Sequence, residues 1–294
     1  MKIFDCVPYF DEDMLFDLRL NMLNQYVDKF IVVEQLYTHS GKKKQQNFNI
    51  ENFKKFKDKI DYFLIENEPE DISEIKLNEP NHDGLKRMNS LKRISLQYNK
   101  LLDGLNDASP DDLIIVSDCD EIPNLEKLNF NLKNEIILFK QKIFYYKFNL
   151  IHENHNWFGS KACKRKKLKT IDWLKYIKNR KYDFWRLDTL FSKKKYINVK
   201  IIQDGGWHFT NVKTNKEIYY KLMNYGEHNE FEKSGIDEEE IERLIKNRQL
   251  YFNHNADKKD ENKYNSKIEL KKISDSALPK YLIDNKSKYL DWFE

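Results

Sequence analysis

The chain has 294 residues, of which 34% are charged, 40% are hydrophobic and 14% are aromatic. Its mean hydropathy of −0.82 is that of a polar protein, but the apolar and aromatic residues suffice for a folded interior and exclude a wholly disordered chain. The 52 basic and 48 acidic residues give a net charge of +4, which does not predict general binding to nucleic acid. The length fits one large α/β domain, or such a domain with a helical appendage.

Cysteine usage and hydropathy bear on the cellular compartment. Cys6, Cys119 and Cys163 form no C-x-x-C pair, so reduced thiols in the cytoplasm are expected. No stretch approaches the roughly 18 to 20 apolar residues of a membrane span, and the N-terminus lacks the long apolar region of a signal peptide. We therefore expect a cytoplasmic protein without a transmembrane segment.

The first half of the chain alternates between short apolar runs and amphipathic stretches. The apolar runs predict strands, and the amphipathic stretches predict helices. The predicted strands are 2–10, 28–35, 61–67 and 111–118, and the predicted helices are 11–27 and 84–105. Such β-α-β alternation predicts a mostly parallel sheet covered by helices on both faces. Ligands of sheets of this kind bind outside the carboxyl ends of the strands.

The pattern changes after Pro123. Near alternation of apolar and polar residues over 135–151 predicts antiparallel strands, with 157–168 as a partner. Residues 197–211 predict a further strand that breaks at the Gly205-Gly206 pair.

The C-terminal part is predicted to be mainly helical. Helices are expected over 215–226 and 237–252, with Asp237 as the N-cap of the second. The Lys/Asn/Asp-rich residues 255–267 predict an exposed loop. Residues 278–293 are amphipathic and are expected to pack back on the domain, the alternatives being peripheral contact with a membrane or contact with a partner.

The stretch "LIIVSDCDEIPN", residues 113–124, sets three carboxylates at the end of a predicted buried strand. Alternate side chains of an extended backbone point the same way, so Asp118 and Asp120 are expected to reach one ligand while Cys119 points into the core. Carboxylate oxygens suit hard divalent ions such as Mn²⁺ or Mg²⁺, which keep coordination positions open for substrate phosphates. The stretch therefore predicts a site for a metal and a nucleoside diphosphate.

Four segments occur in an order that resembles glycosyltransferase family 17. They are "FDCVPYFDEDMLFDLRLNML", "FIVVEQLYTHSGKKK", "SDCDEIPN" and "GGWHFTNVKTNKEIYYKLMNYGEHNEF", which together run from about residue 3 to about residue 235. The resemblance implies a metal-dependent inverting transferase that moves a sugar from a nucleoside diphosphate sugar, with UDP-GlcNAc as the expected donor, to a hydroxyl of a glycan. The absence of a recognisable anchor favours a cytoplasmic glycan precursor as the acceptor.

The resemblance also implies an architecture. We expect an α/β fold of the GT-A type, with a mostly parallel central sheet flanked by helices, additional antiparallel strands and C-terminal helices. The expected division is a catalytic domain over 1–235 and a helical extension over 236–294 that packs on the same domain.

The metal is expected to be Mn²⁺ or Mg²⁺, with Asp118, Asp120 and His208 as ligands. The Asp-x-Asp-Glu-Ile-Pro element implies that Asp118 and Glu121 contact the donor. His208, in "GWHF", has an alternative role as a half-buried histidine that binds a backbone carbonyl.

Positive charge is needed to stabilise a leaving diphosphate. The candidates are Arg19, Arg87 and Lys221, with Arg186 as a further one. Arg19 is expected to lean toward the carboxyl edge of the sheet, where Glu34 could pair with it next to the donor. The alternative for Arg19 is a structural ion pair.

An inverting transferase also needs a base for the acceptor hydroxyl. Glu230 is the first candidate, followed by Glu227 and Asp188, and each has the alternative of a surface carboxylate. Exposed aromatic rings suit a sugar acceptor, and Trp157 and Trp207 are the predicted acceptor contacts.

Two other functional classes remain open at this point. A haloacid-dehalogenase-like phosphohydrolase also places Asp-x-Asp at a strand end, but it needs Thr or Val where this chain has Ile122. A non-catalytic carbohydrate-binding protein could retain a transferase fold, because a fold does not by itself guarantee turnover.

Overall fold

The computed structural model describes residues 1–76, 80–133, 135–257 and 260–294. Its strands are β1 Ile3–Tyr9, β2 Lys29–Gln35, β3 Ile60–Ile65, β4 Leu113–Val116, β5 Glu121–Pro123, β6 Ile136–Phe139, β7 Gln141–Tyr145, β8 Leu150–Trp157, β9 Lys161–Lys164, β10 Val199–Ile202, β11 Gly206–Thr210 and β12 Lys271–Lys272. Its α-helices are α1 Asp13–Leu23, α2 His82–Lys100, α3 Ile171–Lys175, α4 Asn215–Leu222, α5 His228–Ser234, α6 Glu238–Lys246 and α7 Lys280–Asp284.

The larger of two sheets has seven strands in the order β10-β6-β9-β4-β1-β2-β3. Parallel pairs join β1 to both β2 and β4, β2 to β3, and β6 to β10. Strand β9 runs antiparallel to its neighbours β4 and β6. The prediction of an α/β protein with a largely parallel sheet is therefore confirmed.

The strand order reverses between β1 and β4. From β1 the sheet continues through β2 and β3 on one side, whereas β4 lies on the other side. A reversal of this kind leaves a crevice at the carboxyl ends of the two strands, where open α/β sheets bind ligands. The acidic stretch 118–121 follows β4 directly, so it lies at this crevice.

Both faces of the larger sheet are buried, because alternate residues of its central strands enter different hydrophobic clusters. In β4, Leu113 and Ile115 pack in the cluster that includes α1. Ile114 and Val116 pack in a second cluster together with Tyr98 of α2. Helices on the two faces therefore hold the strand that leads into the acidic stretch.

The second sheet has five strands in the order β12-β8-β7-β11-β5. Its short strand β5 is antiparallel to β11, with Glu121 opposite His208. Because β5 begins only five residues after β4 ends, the acidic stretch connects the two sheets. This connection sets the geometry of the site.

Residues 278–293 pack on the domain, which was the preferred prediction for this segment. Leu282 and Tyr289 are buried in the same cluster as α1. The Asp237 cap is also confirmed, since its side chain accepts a hydrogen bond of 2.8 Å from the backbone N–H of Glu240. The boundary at residue 235 stays a prediction.

Other predicted elements differ from the structure. The antiparallel strands predicted over 135–151, with 157–168 as a partner, are confirmed, since β6 pairs antiparallel with β9 and β7 with β8, but β6 lies in the larger sheet and β7 in the second. The pattern does not predict β5, α3 or α5, which are too short to show a clear period. Of the predicted loop 255–267, residues 258–259 lie outside the described residues, and Glu261–Tyr264 form a short 3-10 helix. Across the described ranges, no helix has the length and apolar character needed to cross a membrane.

Candidate functional site

The Asp-x-Asp motif lies in a turn. The backbone N–H of Glu121 donates to the carbonyl of Asp118 across 3.0 Å, so the extended conformation predicted for residues 118–120 is wrong. Cys119 is 3% exposed and belongs to the core, as predicted. The turn joins β4 to β5 and carries both aspartates. The negative charge of Asp120 acts to raise the pKa of Asp118.

Asp118 is held by two side chains from neighbouring helices. Its Oδ2 lies 2.8 Å from Nζ of Lys175 on α3, and its Oδ1 accepts a hydrogen bond from the Tyr98 hydroxyl on α2. Burial opposes ionisation of Asp118, but Lys175 outweighs it and lowers the pKa of the carboxyl. The side chain keeps 40% of its surface exposed, so this carboxylate remains accessible from the crevice.

Asp120 is nearly buried between a lysine and a histidine. Its Oδ2 accepts a hydrogen bond of 3.1 Å from Lys221 Nζ on α4, and its Oδ1 lies 3.5 Å from His208 Nε2 on β11. Burial alone would raise the pKa of Asp120, but the charges of Lys221 and His208 hold it below its usual value. A ladder bond of 2.9 Å from Phe209 N to the Asp120 carbonyl fixes His208 beside the turn.

Lys221 connects Asp120 to the loop after β1. Its Nζ lies 3.9 Å from Oε1 of Glu12, whose Oε2 accepts hydrogen bonds from the backbone N–H groups of Phe10 and Asp11. Burial raises the pKa of Glu12. Burial also opposes the charge on Lys221, but Asp120 and Glu12 outweigh it and raise the pKa of the ammonium group. Lys221 is therefore a positive charge held beside Asp120, and its contact with the donor stays a prediction.

Arg19 is fully buried, which corrects its assignment as a donor contact. Its Nε and Nη2 donate to the two carboxylate oxygens of Asp5 across 2.7 and 2.6 Å. Its Nη1 donates to the carbonyl of Glu121 across 2.6 Å and to that of Asp118 across 3.3 Å. The alternative of a structural ion pair is correct, and Arg19 holds the backbone of the acidic turn from the buried side.

Glu34 likewise has a structural position. It is fully buried and pairs with Lys44, not with Arg19. Its oxygens also accept hydrogen bonds from the backbone N–H groups of Asn47 and Phe48, at 2.8 and 3.0 Å, and from the Tyr62 hydroxyl at 2.9 Å. These contacts hold the segment after β2 and correct the prediction that Glu34 binds the donor.

Glu121 is buried, and its carboxylate binds neighbouring groups of the site. Its Oε2 accepts a hydrogen bond of 2.8 Å from Asp118 N and lies 3.4 Å from Lys175 Nζ, and its Oε1 accepts one of 2.5 Å from Trp157 Nε1. Gly159 provides the space for this carboxylate, since a Cβ there would lie 1.9 Å from the carboxyl carbon of Glu121. Direct contact between Glu121 and the donor is therefore not supported.

The two tryptophans predicted to bind the acceptor have different surroundings. Trp157 is half-buried, and its ring centroid lies 4.8 Å from that of His208. Trp207 precedes His208 on β11, so its side chain points to the opposite face of the strand. Its Nε1 donates to the carbonyl of Ala277 across 3.1 Å, and its ring packs against the main hydrophobic cluster. Trp207 thus supports the C-terminal segment, which corrects its assignment.

The three candidate bases are all ion-paired. Glu227 lies 2.7 Å from Arg87, which also donates to the carbonyl of Gly226. Glu230 lies 2.5 Å from Lys263. Asp188 is exposed between Arg186 and Lys195, which hold its pKa well below the usual value.

Two side chains that touch Asp118 were not among the predicted site residues. Tyr98 is a residue of the apolar side of α2, and Lys175 belongs to the short helix α3. Burial opposes the charge on Lys175, but Asp118 and Glu121 raise its pKa well above the usual value. Its sequence context carries no motif, so only the packing of α3 against the larger sheet identifies it.

The predicted metal ligands suit a divalent ion in their chemistry, since two carboxylates and an imidazole are donors that Mn²⁺ accepts. The buried Nδ1 of His208 has no hydrogen-bond partner among the described residues. Within the same residues, however, no group of three or more His, Cys, Asp or Glu side chains is already arranged around one metal position. Lys175 and Lys221 instead neutralise the two aspartates.

Comparisons with known proteins give one informative result. No curated protein matches the chain. A similar solved structure, the inositol-1-phosphate CTP transferase from T. maritima, is 11% identical and covers 76% of this chain and 96% of its own. Its TM-score of 0.33 is too low to support an argument about fold or function. Glycosyltransferase family 17 matches residues 1–292, nearly the whole length, and the chain therefore belongs to glycosyltransferase family 17.

Proposed function

We propose that the chain is an inverting glycosyltransferase of the GT-A type that transfers a sugar from a UDP-sugar to a hydroxyl of a glycan, with GlcNAc as the expected sugar. The observation that carries the proposal is the turn of Asp118 and Asp120 at the crevice between β1 and β4, with one lysine on each carboxylate. Family membership supports sugar transfer and argues against the phosphohydrolase alternative.

Lys175 and Lys221 are proposed to stabilise the leaving diphosphate. Both side chains are mostly buried, at 17% and 18% exposure, and they reach different carboxylates of the turn from two different helices, α3 and α4. Their raised pKa values keep them charged at any physiological pH. Preorganised positive charge in a partly buried site stabilises developing negative charge without reorganisation during the reaction.

A divalent ion, Mn²⁺ or Mg²⁺, is the proposed cofactor, with Asp118, Asp120 and His208 as the residues that would hold it. When bound, it would supply Lewis-acid stabilisation of the diphosphate. Tyr98 and Glu121 keep Asp118 in place, through its Oδ1 and its backbone N–H respectively. Arg19 holds the backbone of the same turn from the core.

The proton of the acceptor hydroxyl requires a base on the open side of the crevice. We favour Glu227 over Glu230 and Asp188, because its partner Arg87 belongs to α2, the helix whose Tyr98 also binds Asp118. Glu227 is 41% exposed, which leaves its carboxylate accessible to an acceptor. Trp157 is the proposed stacking surface for the acceptor sugar, because its half-buried ring lies against His208.

The experiment is a screen for nucleotide release from UDP-, GDP-, CMP- and dTDP-sugars, with and without Mn²⁺. A transferase slowly hydrolyses its own donor, since transfer and hydrolysis share the leaving group. We expect Asp120→Asn to lower UDP release by about 100-fold or more, the effect of losing one preorganised electrostatic contact.

Asp111→Asn is the matched control, because Asp111 also pairs with lysines but lies on the surface. Binding of a UDP-sugar without release would favour the non-catalytic carbohydrate-binding alternative. Absence of both binding and release across the panel would overturn the proposed function.

A further inference from the structure

An exposed apolar cluster lies between α3 and β10. Phe184, Trp185, Leu187, Leu190 and Phe191 are 79%, 63%, 71%, 72% and 90% exposed. They are five of the ten large hydrophobic side chains that are exposed in the described ranges, although they fall within eight consecutive residues. Exposed apolar groups scattered singly need no explanation, but a cluster of this size marks a contact surface.

Basic residues surround the cluster. Residues 178–196, here called the 178–196 loop, contain seven Lys or Arg and two Asp. The basic residues are Lys178, Arg180, Lys181, Arg186, Lys193, Lys194 and Lys195. Of the two acidic residues, Asp188 is already paired with Arg186 and Lys195 inside the loop, at 2.8 and 2.6 Å. The loop therefore offers its surroundings an apolar centre with a positive rim.

The loop has a defined conformation that turns these side chains outward. Tyr182 is buried at 5% exposure, and the Arg180 guanidinium lies 4.6 Å from its ring centroid. Lys178 N donates to the Lys194 carbonyl across 2.8 Å, and the Thr189 hydroxyl donates to the Arg186 carbonyl across 2.6 Å. These contacts hold the loop, while the five exposed apolar side chains make no part of the core.

We propose that the 178–196 loop binds the surface of an anionic lipid bilayer. Phe, Trp and Leu side chains enter the boundary between headgroups and acyl chains, and a cationic rim is attracted to anionic headgroups. The long Lys and Arg side chains can keep their charges in the headgroup layer while the apolar residues insert.

Two other occupants fit less well. A second copy of the chain would bring two strongly basic rims against each other, and like charges at an interface oppose association. A nucleic acid would satisfy the basic residues and could stack its bases on the three aromatic rings, but it would leave the aliphatic Leu187 and Leu190 exposed to water. The bilayer is the partner that suits both the aliphatic side chains and the charge.

The contact would hold the site at the membrane surface. Lys175, which pairs with Asp118, lies three residues before the loop. The buried ammonium group of Lys161 ties the connection down through bonds of 2.6 Å to the carbonyls of Lys175 and Ile177. A glycan carried on a lipid then becomes the expected acceptor, a consequence that rests on the proposed function, whereas the lipid contact itself does not.

The test is co-sedimentation of the full chain with sucrose-loaded vesicles of phosphatidylcholine, either alone or with roughly 30% phosphatidylglycerol. We expect binding to the anionic vesicles that weakens as salt is raised. The combined Phe184→Ser, Trp185→Ser and Phe191→Ser variant should lower the partition coefficient by about tenfold or more. Lys193→Gln with Lys194→Gln should lower it by about fivefold per charge.

Leu290→Ser is the matched control, since Leu290 is 61% exposed but lies near the C-terminus. It should leave vesicle binding unchanged, and Asp120→Asn should bind vesicles as well as the native chain, which separates this proposal from the proposed function. Quenching of Trp fluorescence by brominated acyl chains should be lost in Trp185→Phe. Equal binding by the triple variant, or binding to neither vesicle, overturns the proposal. Two other results also overturn it, provided that the native chain does not bind vesicles. They are dimerisation that depends on concentration, and RNA binding, if the triple variant abolishes either one.

Discussion

Replacement of Arg19 by Met tests whether this residue holds the acidic turn or contacts the donor. The substitution leaves the fully buried Asp5 carboxylate without its bidentate partner, and breaking a buried pair in this way costs about 3–5 kcal/mol. The Glu121 carbonyl also loses a charged donor at 2.6 Å, a bond of about 1.5–3 kcal/mol. These contributions are coupled, so we expect a total loss of at least about 4 kcal/mol.

The double variant Arg19→Met with Asp5→Leu separates the pair from its surroundings. It leaves no uncompensated buried charge, so it should be more stable than Arg19→Met alone by about 2 kcal/mol or more, which is the expected sign for a buried ion pair. Arg19→Lys should fall between the native chain and Arg19→Met, because an ammonium group cannot reproduce the planar fork to Asp5.

The assay is urea unfolding followed by near-ultraviolet circular dichroism, with UDP affinity measured at a temperature where each variant remains folded. A native stability of about 5–15 kcal/mol leaves Arg19→Met marginal but measurable. A structural role for Arg19 is ruled out if the stability of Arg19→Met lies within about 1 kcal/mol of the native value while UDP affinity falls tenfold, a change of about 1.4 kcal/mol. That result would restore Arg19 as a donor contact.

Gly159→Ala should displace the Glu121 carboxylate, which lies within 2.3 Å of the added Cβ. It should lower the free energy of unfolding by about 1–3 kcal/mol and reduce donor turnover. The control is Gly235→Ala, where φ is +71° and no atom lies within 4 Å, and it should lower stability by only about 1 kcal/mol with turnover intact. Lys175→Met and Lys221→Met should each lower UDP release by about 100-fold, and Lys216→Met on the exposed side of α4 should leave it unchanged; equal release by all three would remove the lysines from the mechanism. Burial, together with His155, lowers the pKa of His254 to about 3. As the pH falls below about 6.5, the unfolded state therefore binds more protons at this group than the folded state does. The free energy of unfolding should decrease by about 1 kcal/mol between pH 7.5 and pH 5.5. His254→Gln should flatten that part of the urea midpoint profile, and an unchanged profile would contradict the assignment.

Much of the larger sheet could be predicted from the sequence, because β1, β2 and β4 are almost entirely buried and therefore appear as apolar runs. The same runs placed Asp118 and Asp120 at the carboxyl edge of the sheet. His208 lies beside Asp120 at 3.5 Å, as expected from the resemblance, although its role as a metal ligand stays a prediction.

What the sequence could not supply is the direction in which buried polar side chains point. Arg19 lies between Leu18 and Leu20 on a helix that is buried on several sides. The spacing of apolar residues along this helix therefore does not separate a side chain that faces a ligand from one that faces the core. The partner of Arg19 is Asp5, a residue inside β1, where a lone charge would be unstable. That buried aspartate was the available signal that an internal cation had to exist.

Trp207 shows a second limit, which is strand register. The prediction treated Trp207 and His208 as neighbours in one site, but consecutive residues of a strand point to opposite faces. Only the pairing of β11 with β5, which sets His208 opposite Glu121, decides which of the two faces the acidic turn. A three-residue strand such as β5 carries too little pattern to reveal that pairing.

The charges around the turn bear on the proposed cofactor. Five carboxylates and three permanent cations meet in this region: Asp5, Glu12, Asp118, Asp120 and Glu121 with Arg19, Lys175 and Lys221. The cations are each engaged by carboxylates, and five carboxylates against three permanent cations leave the region with an excess of negative charge. A nucleoside diphosphate adds further negative charge, and like charges in a partly buried cleft repel one another strongly. Donor binding therefore calls for an additional cation, so UDP affinity should depend steeply on Mn²⁺ or Mg²⁺ in the native chain and far less in Asp118→Asn with Asp120→Asn.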